Sequence, residues 1–132
     1  LMVNPATGFL APSKITAFIT NQGAETLPFG TGWHPYFPLS PQTRIQAQAS
    51  GYWLEREQWL AGEFCEQLPQ ELDFNQPAPL PRQWVNNGFA GWNGQARIEQ
   101  PQEGYAIIME TPGMDRWWNY NIIIPFSKLK TL

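Results

Sequence analysis

Proline and glycine punctuate this chain so densely that they set the first constraint on its fold: thirteen prolines and eleven glycines fall among 132 residues. Proline removes a backbone donor and fixes φ, whereas glycine marks turns and kinks, so the pair suits many short strands better than long helices. Seven Trp, four Tyr and eight Phe supply ample side chain to bury, which argues against disorder. Charged residues reach only 14%, against about 25% in ordinary globular domains. A chain of this length can bury roughly two thirds of its unfolded surface. The expectation is one all-β, antiparallel domain spanning residues 1–132, with short turns and one long loop.

Periodicity places the strands. "KITAFIT" (14–20) and "TRIQAQA" (43–49) alternate with a period of two. In the second, Ile45, Ala47 and Ala49 share the inward face against Arg44, Gln46 and Gln48. "NQGAET" reads as a turn through Asn21 and Gly23. "LPFGTGWHPYF" reads as a broken aromatic strand kinked at Gly30 and Gly32, and Pro35 places it at a sheet edge or strand end. Residues 55–84 hold no sustained period and read as a long extended loop, with a short helical turn near Glu55–Leu60. "GQARIEQ" (94–100), a turn at "PQEG", "YAIIME" (105–110) and "WWNYNIIIP" (117–125) complete the strand pattern.

Charge and cysteine content narrow the function. The net charge is −3 and the pI is near 5.0. Lys128 and Lys130 are the nearest approach to a basic cluster, which argues against nucleic acid and anionic membrane as partners. The lone Cys65 excludes an internal disulfide framework and suits a reducing cytoplasm. One Cys and one His leave a zinc site short of ligands, so no metal is expected. No apolar run of 18 residues and no leader pattern is visible, and the chain reads as soluble and unexported. Both ends read as cut from something larger.

Phosphate loops, dinucleotide fingerprints and nucleophile elbows are absent from the sequence. Cys65 lies between Glu63 and Glu66, where negative charge opposes thiolate formation, so it reads as packing. The pairs Glu55/Glu57, Glu63/Glu66 and Glu110/Asp115 sit in no motif that would make them glycosidase acids, and solvated surface is the default for each.

His34 is the sole histidine. Imidazole titrates near pH 6.5 and can carry a proton at neutral pH. Trp33, Tyr36 and Phe37 offer flat faces that suit the C–H face of a sugar, and the glycines leave room for a ligand. The alternative is a histidine packed in an aromatic cluster. In "WVNNGFAGWNG" (84–94), Asn86 and Asn87 each offer a donor and an acceptor to a hydroxylated ligand. The alternative there is a loop with Asn-Gly turns at 87–88 and 93–94, and for the second the turn is the stronger reading.

"ITNQGAETLPFGTGWHPYF" resembles the aldose 1-epimerase (galactose mutarotase-like) family, whose members carry a G-W/C-H-P-Y/F-F segment after "TN.G…PFG". "NNGFAGWNGQARI" is similar to that family's later "DNCFTGWDGRA" segment, and the likeness runs from about Lys14 to Ile108. The resemblance implies a galactose mutarotase-like β-sandwich, present here as a partial copy. It implies interconversion of the α and β anomers of an aldose, a hexose or hexose derivative, with no cofactor. By that likeness His34 is the general acid at the ring oxygen, and Asn86 stands where relatives place a hydroxyl-binding aspartate. Trp33 and Tyr36 join Asn86 as expected substrate contacts. The family's base is a glutamate in a segment like "EP.SHAPDAF", which this sequence lacks. The isolated chain is therefore expected to turn sugars over poorly or not at all. A non-catalytic carbohydrate-binding domain is the second reading. A structural remnant that oligomerises through uncovered strand edges is the third.

Overall fold

The computed structural model describes residues 14–28, 30, 32–111 and 119–124. The chain divides into two compact units, Leu1–Pro38 and Leu39–Leu132.

Among the described residues of the first unit there is no strand or helix. The strands expected over 14–20 and 27–37 are thus not formed there. Extended segments persist as strands only when a neighbour takes up their backbone hydrogen bonds. No described segment pairs with these. The turn at Asn21 is present: its Oδ1 accepts from the Gly23 N–H at 2.8 Å, and its Nδ2 donates to the Glu25 carbonyl at 2.7 Å.

The second unit is a sandwich of two antiparallel sheets. Its strands are β1 (Arg44–Ala47), β2 (Gly51–Arg56), β3 (Leu60–Cys65), β4 (Ala78–Pro79), β5 (Val85–Ala90), β6 (Gln95–Gln100), β7 (Tyr105–Glu110) and β8 (Asn119–Ile124). One sheet has the order β4-β1-β6-β7 and the other β3-β2-β5-β8. The period-two reading of 43–49 holds, with Ala47 and Ala49 buried and Arg44 and Gln48 exposed. β6 and β7 pair in register from Gln95↔Glu110 to Gln100↔Tyr105 around the turn at 101–104. Gly94 takes φ +83°, and a Cβ there would lie 2.9 Å from Thr111 Oγ1, so this turn position requires glycine.

Two differences from the sequence reading matter. The supposed long loop of 55–84 instead contains the end of β2, all of β3, short 3-10 turns at Glu57–Trp59 and Gln70–Leu72, and the two-residue β4. Residues 85–90, read as loop or turn, form the central strand β5, which pairs with β8 from Val85↔Ile124 to Ala90↔Asn119. Asn87-Gly88 therefore lies within a strand, and only Asn93-Gly94 is a turn.

Between the sheets lies an aromatic core. Phe74 and Phe89 are fully buried. The Phe89 ring stacks on Tyr120 at 4.8 Å and meets Phe74 edge-on at 6.0 Å. Burying each such ring stabilises the fold by roughly 1.5–3 kcal/mol. Cys65 packs against this cluster, in keeping with a structural role.

Candidate functional site

β2 and β5 begin as a regular pair, with Gly51 opposite Ala90 and Tyr52 opposite Phe89. Tyr52 and Phe89 point into the core. Extending that register would set Trp53 against Gly88 and Glu55 against Asn86. The ladder stops before it reaches them. β2 also shifts register against β3 between Trp53 and Glu55, and a bulge of this kind bends and twists its strand. The β2–β3 hairpin consequently splays from β5.

Side chains bridge the opening. Asn87 Nδ2 donates to the Trp53 carbonyl at 2.8 Å, replacing a lost ladder bond. Asn86 Nδ2 donates to Glu55 Oε1 at 2.9 Å, and Trp84 Nε1 donates to Glu55 Oε2 at 2.7 Å. A carboxylate only accepts, so Asn86 must turn its NH₂ toward Glu55. That fixes the amide and leaves its oxygen and second N–H without a protein partner among the described residues.

The splayed strands enclose a cleft of about 360 Å³ lined by Trp53, Leu54, Trp59, Leu60, Ala61, Asn86 and Gly88. This volume lies within the range of small-ligand sites. Trp59 stands at the hairpin tip, 66% exposed, with its ring 4.9 Å from Trp84 at a 58° tilt. The short helical turn expected near Glu55–Leu60 is present as a 3-10 turn over Glu57–Trp59, with a non-helical backbone at Gln58. Gln58 and Trp59 both have φ +62°. Positive φ at two successive positions marks a primed hairpin turn, normally built from Asn and Gly. Holding a bulky side chain there costs of order 1–3 kcal/mol, and such strain concentrates at functional sites.

In the first unit, His34 is exposed, and its ring lies 5.0 Å from that of Tyr36 at a 52° tilt. Trp33 is 59% and Tyr36 88% exposed. His34 is thus open to solvent rather than enclosed by indoles. His34, Trp33 and Tyr36 belong to one unit and Asn86 to the other. The sequence presents Glu55 only as half of a solvated pair with Glu57, because residues 55–84 read as loop. The signal was Trp53 and Glu55 alternating with Tyr52 in "GYWLER". Among the described residues no three of His, Cys, Asp and Glu converge as metal ligands. No helix among them is long and apolar enough to cross a membrane.

Comparison with known proteins adds a family. The model of the aldose 1-epimerase family matches residues 13–120. The chain is 96% identical over 97 residues to the uncharacterized protein YphB of Escherichia coli (strain K12), covering 74% of this chain and 33% of that protein. It is also similar to the crystal structure of a candidate aldose 1-epimerase from Escherichia coli K12, with 90% identity and a TM-score of 0.74. That match covers 80% of this chain and 35% of the other. The chain spans about a third of the length of each relative.

Proposed function

Because the chain belongs to the aldose 1-epimerase family, matched over residues 13–120, we propose that it serves anomer interconversion of an aldose, with His34 as general acid. His34 donates a proton to the ring oxygen while a base takes the proton of the anomeric hydroxyl. The ring opens, C1 rotates about the C1–C2 bond, and reversed proton transfers close it on the other face. No covalent enzyme bond is needed, so two positioned proton carriers suffice. Each contributes roughly 10²–10⁴-fold. Trp33 and Tyr36 present exposed ring faces to the sugar. A cytoplasmic setting belongs to the same reading, supported by the lone Cys65.

The observation that carries this reading is that His34, within the matched segment, lies open to solvent beside an aromatic face. A second reading, a carbohydrate-binding domain without turnover, rests on the same exposed rings of Trp33 and Tyr36 and needs no proton carrier. Polarimetry of freshly dissolved α-glucose and α-galactose separates the two, run with and without acetate as an external base. The epimerase reading expects acceleration, restored or increased by acetate and abolished by His34→Ala. Acceleration that His34→Ala leaves unchanged, or none under either condition, rejects it.

A further inference from the structure

An uncovered edge strand offers a row of unpaired N–H and C=O groups to any strand that can reach it, and most edges carry a device that prevents this. Among the described residues β4 and β7 end one sheet, and β3 and β8 end the other. β4 is two residues long and contains Pro79. The pairing of β3 with β2 is broken by a register shift, and β8 is followed in the sequence by Pro125. β7 carries no such device. It is six residues without Pro, Lys or Arg, paired with β6 at every position. Its phase follows from its end: Thr111 N–H donates to the Gly94 carbonyl at 2.9 Å, one step beyond Gln95↔Glu110. Antiparallel pairs alternate between those that exchange both bonds and those that exchange none. Met109, Ile107 and Tyr105 therefore bond to β6, and Ala106, Ile108 and Glu110 aim their N–H and C=O groups away from it. At the centre of that free row the Ile108 side chain is 62% exposed.

We infer that β7 pairs with β7 of a second copy, antiparallel about a two-fold axis at Ile108, so that the four-stranded sheets of the two copies join into one. The edge is self-complementary in that register. Ile108 meets its own copy as a bonded pair, and Ala106 meets the partner's Glu110, so every outward backbone group of the three residues finds a partner. Residues directly opposite share a face, which sets Ile107 against the partner's Met109 and carries the buried face across the junction. An axis between Ile107 and Ile108 would instead set a buried side chain against an exposed one. The strand's one charge, Glu110, faces an alanine and lies about 13 Å along the strand from its copy, beyond the screening length of about 8 Å in physiological salt. The contact is isologous, so it closes at two copies. A single strand pair of this length buries less than a standard interface, and the dimer is weak and concentration-dependent. Neither His34 nor a sugar takes part.

Sedimentation velocity over a concentration series reads the association, and a monomer–dimer equilibrium is expected. Hydrogen exchange should slow with concentration at the amides of Ala106, Ile108 and Glu110, and much less at Ile107 and Met109, which already bond to β6. Ile108→Pro removes an outward N–H and spares the β6 ladder, so it should leave a folded monomer. Ile108→Lys sets two ammonium groups face to face at the axis and should weaken the dimer roughly tenfold or more. If Ile108→Pro does not fold, Ile108→Lys decides, because that side chain stands mostly in solvent. The register is tested opposite the partner's Glu110: Ala106→Lys should tighten the dimer several-fold and Ala106→Glu should loosen it, each contact occurring twice by symmetry. A chain that stays monomeric overturns the inference. So does a dimer that survives the Ile108 variants, which would lie at another edge, or exchange that slows equally at Ile107 and Ile108. His34→Ala should leave the dimer intact while abolishing mutarotation, so this inference and the epimerase reading fail separately.

Discussion

Asn75 holds Ala49 by both of its backbone groups, its Oδ1 accepting the Ala49 N–H at 3.0 Å and its Nδ2 donating to the Ala49 carbonyl at 3.1 Å. The side chain therefore acts as one residue of a missing strand beyond the end of β1. Asp73 Oδ1 fixes the amide orientation by accepting from both the backbone N–H and the Nδ2 of Asn75. Ala49 is buried, so removing the amide strips partners from groups that little water can reach. Asn75→Ala should cost about 2–3 kcal/mol in urea unfolding. Asn75→Asp should be at least as harmful, because a second carboxylate meets Asp73 and cannot donate to Ala49. A stable Asn75→Asp protein would show that this clamp contributes little.

Thr43 and Gln100 form a second buried polar pair, at 1% and 2% exposure, with Thr43 Oγ1 donating to Gln100 Oε1 at 2.7 Å. Thr43 Oγ1 also accepts the Ser40 N–H at 2.8 Å. Thr43→Val removes the hydroxyl at nearly constant volume and should cost about 1–3 kcal/mol. Replacing Gln100 by Leu as well removes the group left without that donor. A double-mutant cycle should therefore show the pair less destabilising than the sum of the singles. Strict additivity would show that the two side chains act independently.

The strands that the sequence reveals are those with one wet face. "TRIQAQA" and "GQARIEQ" alternate because Arg44 and Arg97 face solvent while Ala47 and Ile98 face the core. The hairpin of β2 and β3 gives no such signal. Its turn is Gln58-Trp59 where Asn-Gly would announce it, and β3 exposes Leu60 and Phe64, so its apolar residues mark no buried face. β5 carries Asn-Gly inside a strand, which local turn chemistry misreads and pairing with β2 and β8 overrides. His34, Trp33 and Tyr36 stand out as candidates because their residue types advertise chemistry. Glu55 does not: an isolated glutamate says nothing until the sheet brings Trp84 and Asn86 to its two oxygens.

Tyr120 makes stability depend on alkaline pH. Burial, and then the negative charge of Asp73, hold its phenol well above the ordinary tyrosine range. Its O–H also donates to the Ala47 carbonyl at 3.1 Å. The folded protein keeps this proton when the unfolded chain has begun to lose it near pH 10. The stabilisation is thus complete below about pH 10 and falls as pH rises toward the folded value, by at most about 1.4 kcal/mol per pH unit. Tyr52 is raised in the same direction by burial and by Cys65, so Tyr120→Phe should flatten the decline without removing it. Urea midpoints between pH 8 and 11 measure this. An identical alkaline decline in Tyr120→Phe would assign the effect elsewhere.

The backbone of Trp59 yields a prediction that separates strain from lost contact. Both Trp59→Ala and Trp59→Gly remove the ring and its approach to Trp84, a contact worth about 0.5–1.5 kcal/mol. They differ in how they bear φ +62°. Glycine adopts that value freely, whereas alanine keeps a Cβ that clashes with the backbone. In an ordinary strand or helix glycine is the less stable of the two by roughly 0.5–1 kcal/mol. At Trp59 the order should reverse, with Trp59→Gly more stable than Trp59→Ala by about 1 kcal/mol in chemical denaturation. Equal stabilities, or the usual order, would mean that the turn relaxes when the ring is gone. The ring would then hold the backbone in its left-handed form, and the strain would be a consequence of the Trp59–Trp84 contact rather than a fixed property of the hairpin.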